Sequence, residues 1–211
     1  MPKITVVTPS IRPSGLVVMQ ECLKNQSFQD FEWLVEINYS GEHDLNAAFN
    51  KMIKKSKGEL IVFYQDYTKI KKDGLQKFWD AYQKDKDTLF TAPLGKVHTW
   101  GKTPKWDWRL QRGNIEWNEL ELDWGAIPKH ILEDIGGFDE RLDQWWSMDN
   151  VSVGKRAQLC GYKFKNLRDN LSCALDHDAM MEHPFRKNYA PEHVNVLING
   201  YESSPRLDYL L

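Results

Sequence analysis

Over the first hundred residues, short runs of β-branched and aromatic side chains alternate with amphipathic stretches. "ITVVTPS" (4–10) is such a run, closed by Pro and Ser, and predicts a buried strand ending in a turn. From Ser14 to about Gln26 apolar residues recur at helical spacing behind a serine suited to cap the helix. "FEWLVEI" (31–37) predicts a second strand. In "DLNAAFNKMIKKSKG" (44–58), Leu45, Ala48, Phe49, Met52 and Ile53 form one helical stripe, with lysines toward the C-terminal end and Gly58 as the expected stop. "ELIVFY" (59–64) is apolar without alternation, as a strand covered on both faces of a parallel sheet requires. A helix over 71–86 and a strand over 88–94 complete a β-α-β-α-β-α-β order, which predicts an open, mostly parallel sheet flanked by helices.

Beyond residue 94 the periodicity weakens. Residues 95–121 mix Trp with Lys, Arg and turn formers and predict loops, with room for a short strand or hairpin. Order returns with a short strand to Ile127, Pro128 in the first turn of a helix, and a Gly136-Gly137 stop. A helix from about Asp149 to Cys160 and strand candidates at 162–167 and 171–177 follow. These features predict one α/β domain over 1–182 and a polar, Pro-punctuated tail over 183–211 packed on it.

Charge narrows the function classes little: 28 basic and 30 acidic side chains leave no global footprint for a nucleic acid or a membrane. Three widely spaced cysteines, Cys22, Cys160 and Cys173, suit neither a disulfide framework nor a zinc site. With no signal-like start and no apolar run long enough to span a bilayer, a cytoplasmic protein without a transmembrane segment is the expectation. Nine tryptophans do change the picture, because most fall among Gly, Pro, Lys and Asp in the middle third, where a flat aromatic face can stack on a ligand or fill the core.

The third strand ends in "QDY", which carries Asp66 to a strand tip, the place where doubly wound sheets bind ligands. A carboxylate there can hold a hard divalent cation, though "QDYTK" is also turn chemistry. Arg12 after the first strand can reach a phosphate or nucleobase, and Glu36 on the second can accept a base N–H, so neighbouring tips would share one crevice. Asp149, at a helix start beside Trp145 and Trp146, can take a proton from an attacking hydroxyl or simply cap the helix. His177 can complete a metal site with Asp66.

Taken together, "ITVVTPSIRP", "LNAAFNKMIKKSKGELIVFYQDYTKI" and "GAIPKHILEDIGGFDERL…MDNVSVGKRAQLCGYKF" resemble a family 2 glycosyltransferase with the GT-A fold, over about residues 3–178. The resemblance implies a nucleotide-sugar donor, Mn2+ or Mg2+, and displacement that inverts the anomeric centre. By position it implies that Thr8, Pro9, Arg12, Glu36, Gln65 and Asp66 bind the donor, that Asp66 and His177 bind metal, and that Asp149 is the catalytic base. Trp124, Trp145 and Trp146 would shape the acceptor side. Gln65-Asp66-Tyr67 keeps one carboxylate of the family's Asp-x-Asp motif, and Met148 stands where a Glu commonly precedes the base.

Two further expectations concern partners. An acceptor glycan, glycolipid head group or other hydroxyl comes first; a modified DNA base comes second, because Lys96, Lys102, Lys105, Arg109 and Arg112 interleave with Trp100, Trp106 and Trp108. The competing class is a catalytically silent nucleotide-sugar or glycan-binding module on the same fold, which the reduced acidic motif favours. A sugar-nucleotide pyrophosphorylase ranks third, since its Gly-rich first loop is missing after "VVTPS".

Overall fold

The structure is a computed structural model that describes residues 1–11, 13–38, 44–96, 112–145, 149–174 and 191–210. Strand β1 (Ile4–Ser10) lies between β2 (Phe31–Ile37) and β3 (Leu60–Tyr64), parallel to both. Helix α1 (Pro13–Lys24) makes the first crossover and α2 (Leu45–Lys55) the second. A short strand β4 (Thr68–Ile70), helix α3 (Gly74–Lys84), β5 (Thr88–Thr91) and β6 (Leu94–Lys96) follow. Then come β7 (Trp124–Pro128), α4 (Lys129–Ile135), α5 (Asp149–Leu159), β8 (Lys163–Asn166), β9 (Ser172–Ala174) and α6 (Pro191–Gly200). The central sheet has the order β2-β1-β3-β7-β5-β8, and β4-β9-β6 form a second, small sheet.

This is the α/β architecture expected, an open and mostly parallel sheet between helices, with one strand reversed. β7 runs antiparallel to both β3 and β5, pairing Tyr64 with Trp124 and Phe90 with Ala126. The fully buried β3 explains its unbroken apolar run: Leu60, Val62 and Tyr64 enter a core shared with Met19, Leu75 and Phe78, whereas Ile61 and Phe63 enter the opposite one with Phe49, Leu132 and Phe138.

Several boundaries differ from the sequence reading for identifiable reasons. Pro13 takes the first helical position, so α1 starts one residue before Ser14. The single strand expected over 88–94 is split, because Pro93 has no N–H for the ladder, and its carbonyl instead accepts from the Ser172 amide. Helix α2 ends at Lys55, before Gly58; a Cβ at Gly58 would lie 2.5 Å from the Thr5 backbone, so this glycine serves a close approach to β1. The three cysteines are free thiols, and no helix among the described residues is long and apolar enough to cross a membrane.

Candidate active site

The exit of β3 is held from three sides. Gln65 opens a tight turn, its carbonyl accepting from the Thr68 amide, so Asp66 does occupy turn geometry. Asp66 is nevertheless buried, and the Ser10 hydroxyl at the tip of β1 donates to its Oδ2 at 2.8 Å. The opening of α1 presses on the same backbone: a Cβ at Gly15 would stand 2.1 Å from the Asp66 carbonyl oxygen. Only a glycine lets the helix start this close to the turn.

Tyr67 donates its phenolic proton to Asp123, while the Gln65 amide donates to the Asp123 carbonyl at 3.2 Å. Burial and then the Asp123 carboxylate hold the Tyr67 phenol far above its ordinary pKa. Asp123 had no place in the sequence reading. It reaches this turn because β7 is antiparallel to β3: the entry of a reversed strand lies at the same sheet edge as the exit of its parallel neighbours. A carboxylate immediately before a buried strand was the signal, and strand direction was what gave it meaning.

Asp149 is the first residue of α5. Two close contacts fix this helix: Asn150 Nδ2 donates to the Leu120 carbonyl at 2.7 Å, and Gly154 admits the Trp117 carbonyl, which would be 2.2 Å from a Cβ. Burial first, and then the Asp123 and Asp143 carboxylates, raise the Asp149 pKa to about 6; the amides of its own helical turn oppose the shift. Asp143 is likewise raised to about 6, chiefly by burial. It caps α2 from a distance, accepting from the Asn46 amide at 2.8 Å and the Ala47 amide at 3.0 Å, whereas the adjacent Asp44 makes no side-chain cap bond. Asp66 therefore acts on Tyr67, Tyr67 binds Asp123, and the charge of Asp123 reaches Asp149.

The remaining predicted residues divide clearly. Thr8 and Pro9 are buried in β1, and the Thr8 hydroxyl already accepts from the Trp33 indole at 2.9 Å. Glu36 projects from β2 and is paired with Lys51 of α2. Trp145 ends a 3-10 helix (Glu140–Trp145) and packs against Leu142, Val194, Ile198 and Tyr201. Trp124 corrects the sequence reading: it is fully buried, with edge contacts to Tyr64 at 5.3 Å and Phe78 at 4.9 Å, and is too deep to shape an acceptor surface. Among the described residues its Nε1–H has no hydrogen-bond partner. Trp124→Phe should cost only about 1–2 kcal/mol, because removing an orphaned donor offsets part of the lost packing. Denaturant unfolding measures this, and a cost above about 4 kcal/mol would contradict it.

Arg12, Trp146 and His177 lie outside the described residues, as do Lys102, Lys105, Arg109, Trp100, Trp106 and Trp108 of the basic-aromatic stretch. Arg112 is described and pairs with Glu119 at 3.1 Å. Among the described residues no three His, Cys, Asp or Glu side chains stand together as a metal site.

No protein-family model matches the chain, and no curated protein does either. Solved structures do match. S. aureus TarS residues 1–349, in complex with UDP-GlcNAc, is similar at a TM-score of 0.64 and 13% identity over 83% of this chain. The same TarS portion in complex with UDP is similar at a TM-score of 0.64 and 14% identity. The whole of S. aureus TarS gives a TM-score of 0.69 and 14% identity over 96% of this chain. The chain spans 59% of the UDP-GlcNAc-bound TarS chain and 41% of the whole one. At such identities the likeness speaks for the fold alone, and that fold is GT-A.

Proposed function

We propose that this chain is a glycosyltransferase of the family 2 type, moving a sugar from a nucleotide-diphosphate donor to an acceptor hydroxyl with inversion. The observation that carries the reading is Asp149: a carboxyl at a helix start, raised to about 6 by burial and by Asp123, which Tyr67 ties to the turn holding Asp66. A base poised near neutrality accepts a proton readily yet is still ionised at pH 7. In this reaction the acceptor O–H proton passes to the Asp149 carboxylate while its oxygen forms the new bond to the anomeric carbon. The bond from that carbon to the diphosphate oxygen breaks, and its electron pair leaves with the diphosphate. Attack from the opposite face inverts the centre.

The complexes of S. aureus TarS with UDP-GlcNAc and UDP support a uridine-diphosphate sugar as the first donor to try. Its diphosphate would lie beyond the β3 exit, next to Ser10 and Asp66, with Glu36 and Arg12 toward the nucleoside. Mn2+ or Mg2+ held by Asp66 and His177 belongs to this proposal and is tested with it. UDP-GlcNAc should raise the melting temperature in a concentration-dependent way, with a larger rise if Mn2+ participates. Asp66→Asn should weaken donor binding about tenfold, the loss of one charge-assisted contact. A melting temperature indifferent to every nucleotide-sugar tried would remove the donor assignment.

One observation favours the second reading, a silent sugar- or nucleotide-binding module. The family's second motif carboxylate is replaced by Tyr67, whose hydroxyl is committed to Asp123. Donor binding without turnover, unchanged in Asp149→Asn, would select that reading.

A further inference from the structure

The C-terminal segment enters the body of the protein near the candidate base. Tyr201 is buried, and the Arg156 guanidinium of α5 lies over its ring at 5.5 Å. Arg156 itself donates to the Ile135 carbonyl at 2.7 Å and to the Gly137 carbonyl. The Tyr201 hydroxyl stands 2.7 Å from Asp139 Oδ2 and 2.8 Å from Ser152 Oγ.

Proton chemistry fixes the direction of both bonds. Arg141 donates to both oxygens of Asp139, and despite burial this keeps the carboxyl below its usual range. An ionised carboxylate only accepts, so Tyr201 donates to Asp139 and accepts from the Ser152 hydroxyl. One oxygen thus joins three elements. Ser152 lies on α5 one turn after Asp149. Asp139 leads into the 140–145 stretch that carries Asp143 and Trp145. Tyr201 follows α6, whose Val194 and Ile198 pack with Leu142 of that stretch.

We propose that Tyr201 is a positioning residue for Asp149: through a single hydroxyl it holds the opening turn of α5 against the 139–145 stretch, and so sets where the base meets an acceptor hydroxyl. The inference rests on Asp149 being the base. The carboxylates that act on Asp149 are Asp123 before β7 and Asp143 in the 3-10 helix, and neither is substituted in the test.

Tyr201→Phe removes only the oxygen and keeps the ring under Arg156. Two readouts serve: carboxyl 13C NMR titration of Asp149, and hydrolysis of UDP-GlcNAc with water as acceptor. As water enters the loosened turn, the Asp149 titration should move down from about 6 toward the ordinary carboxylate range. The hydrolysis kcat should fall about tenfold, with KM for UDP-GlcNAc within about twofold. Ser152→Ala, which leaves the Tyr201–Asp139 bond intact, should move both readouts the same way by less, and it carries the test if the Phe variant does not fold. An unchanged Asp149 titration in the folded variants overturns the positioning inference alone. Asp149→Asn hydrolysing UDP-GlcNAc at the parental rate overturns the base assignment, and this inference falls with it.

Discussion

Asp149→Asn should lose sugar transfer by about 10²- to 10⁴-fold, the usual worth of a general base, while binding donor as before. The same substitution should make the protein more stable at neutral pH. A carboxyl whose folded pKa is raised holds its proton longer in the folded than in the unfolded state. Its favourable contribution is therefore present below the unfolded value near 4 and is lost as pH rises through about 6. Above pH 6 the ionised, half-buried Asp149 is a liability, which the neutral amide brought in by the substitution would not be. Allowing for partial solvent screening, the gain should be about 1–2 kcal/mol at pH 7.5 and vanish below about pH 4. Transfer by the parent protein should decline as pH falls through about 6, because the base is then protonated. Denaturant melts at several pH values and single-turnover assays check all three statements. A variant that is less stable at pH 7.5 would mean that Asp149 serves as a cap before it serves as a base.

Gly136→Ala should cost about 4 kcal/mol and release the C-terminal segment. Gly136 ends α4 in the left-handed region at φ 76°, where an alanine is strained by about 1–2 kcal/mol on its own account. The larger part is steric: an added Cβ would stand 1.5 Å from the Leu207 carbonyl oxygen, and the Leu207 amide donates to the Ile135 carbonyl at 3.1 Å. The next glycine is crowded too, though by side chains, with Leu210 and Asn50 within 2.8 Å of a Cβ at Gly137. Gly161 provides the control. It has φ 87° but nothing within 4 Å of a Cβ, so Gly161→Ala should show the strain without the clash and lose only about 1–2 kcal/mol. For a chain of this size the pair should differ in melting temperature by roughly 5–10 °C. Proteolysis should cut Gly136→Ala first within residues 200–210. Equal losses at the two sites would mean that residues 207–210 do not dock as described.

The Gly-Gly turn shows how the sequence can signal a constraint without its cause. Two consecutive glycines announce a close approach or positive φ, and both are present. The sequence marks only a stop there; the space beside the two glycines is filled by the chain's own residues 207–210. Asp143 and Asp123 escape a sequence reading for a similar reason. Nothing local says that Asp143 caps a helix 97 residues away, and the position of Asp123 just before a strand does not say that it stands beside a turn 56 residues earlier.

What the sequence determined by itself is the layered architecture and the elements that build it. Burial on both faces leaves an unbroken apolar run in β3, and an amphipathic stripe marks α2, so periodicity alone identifies a sheet between helices. It also placed Asp66 at a strand exit and Asp149 at a helix start, since both positions follow from where regular structure begins and ends. Only the tertiary structure decided that β7 is reversed, that Trp124 fills the core, and that Tyr201 ties α5 to the loop before it. Those facts depend on which distant segments meet, and a pattern read along one chain records the solvent each residue avoids, not the neighbour it finds.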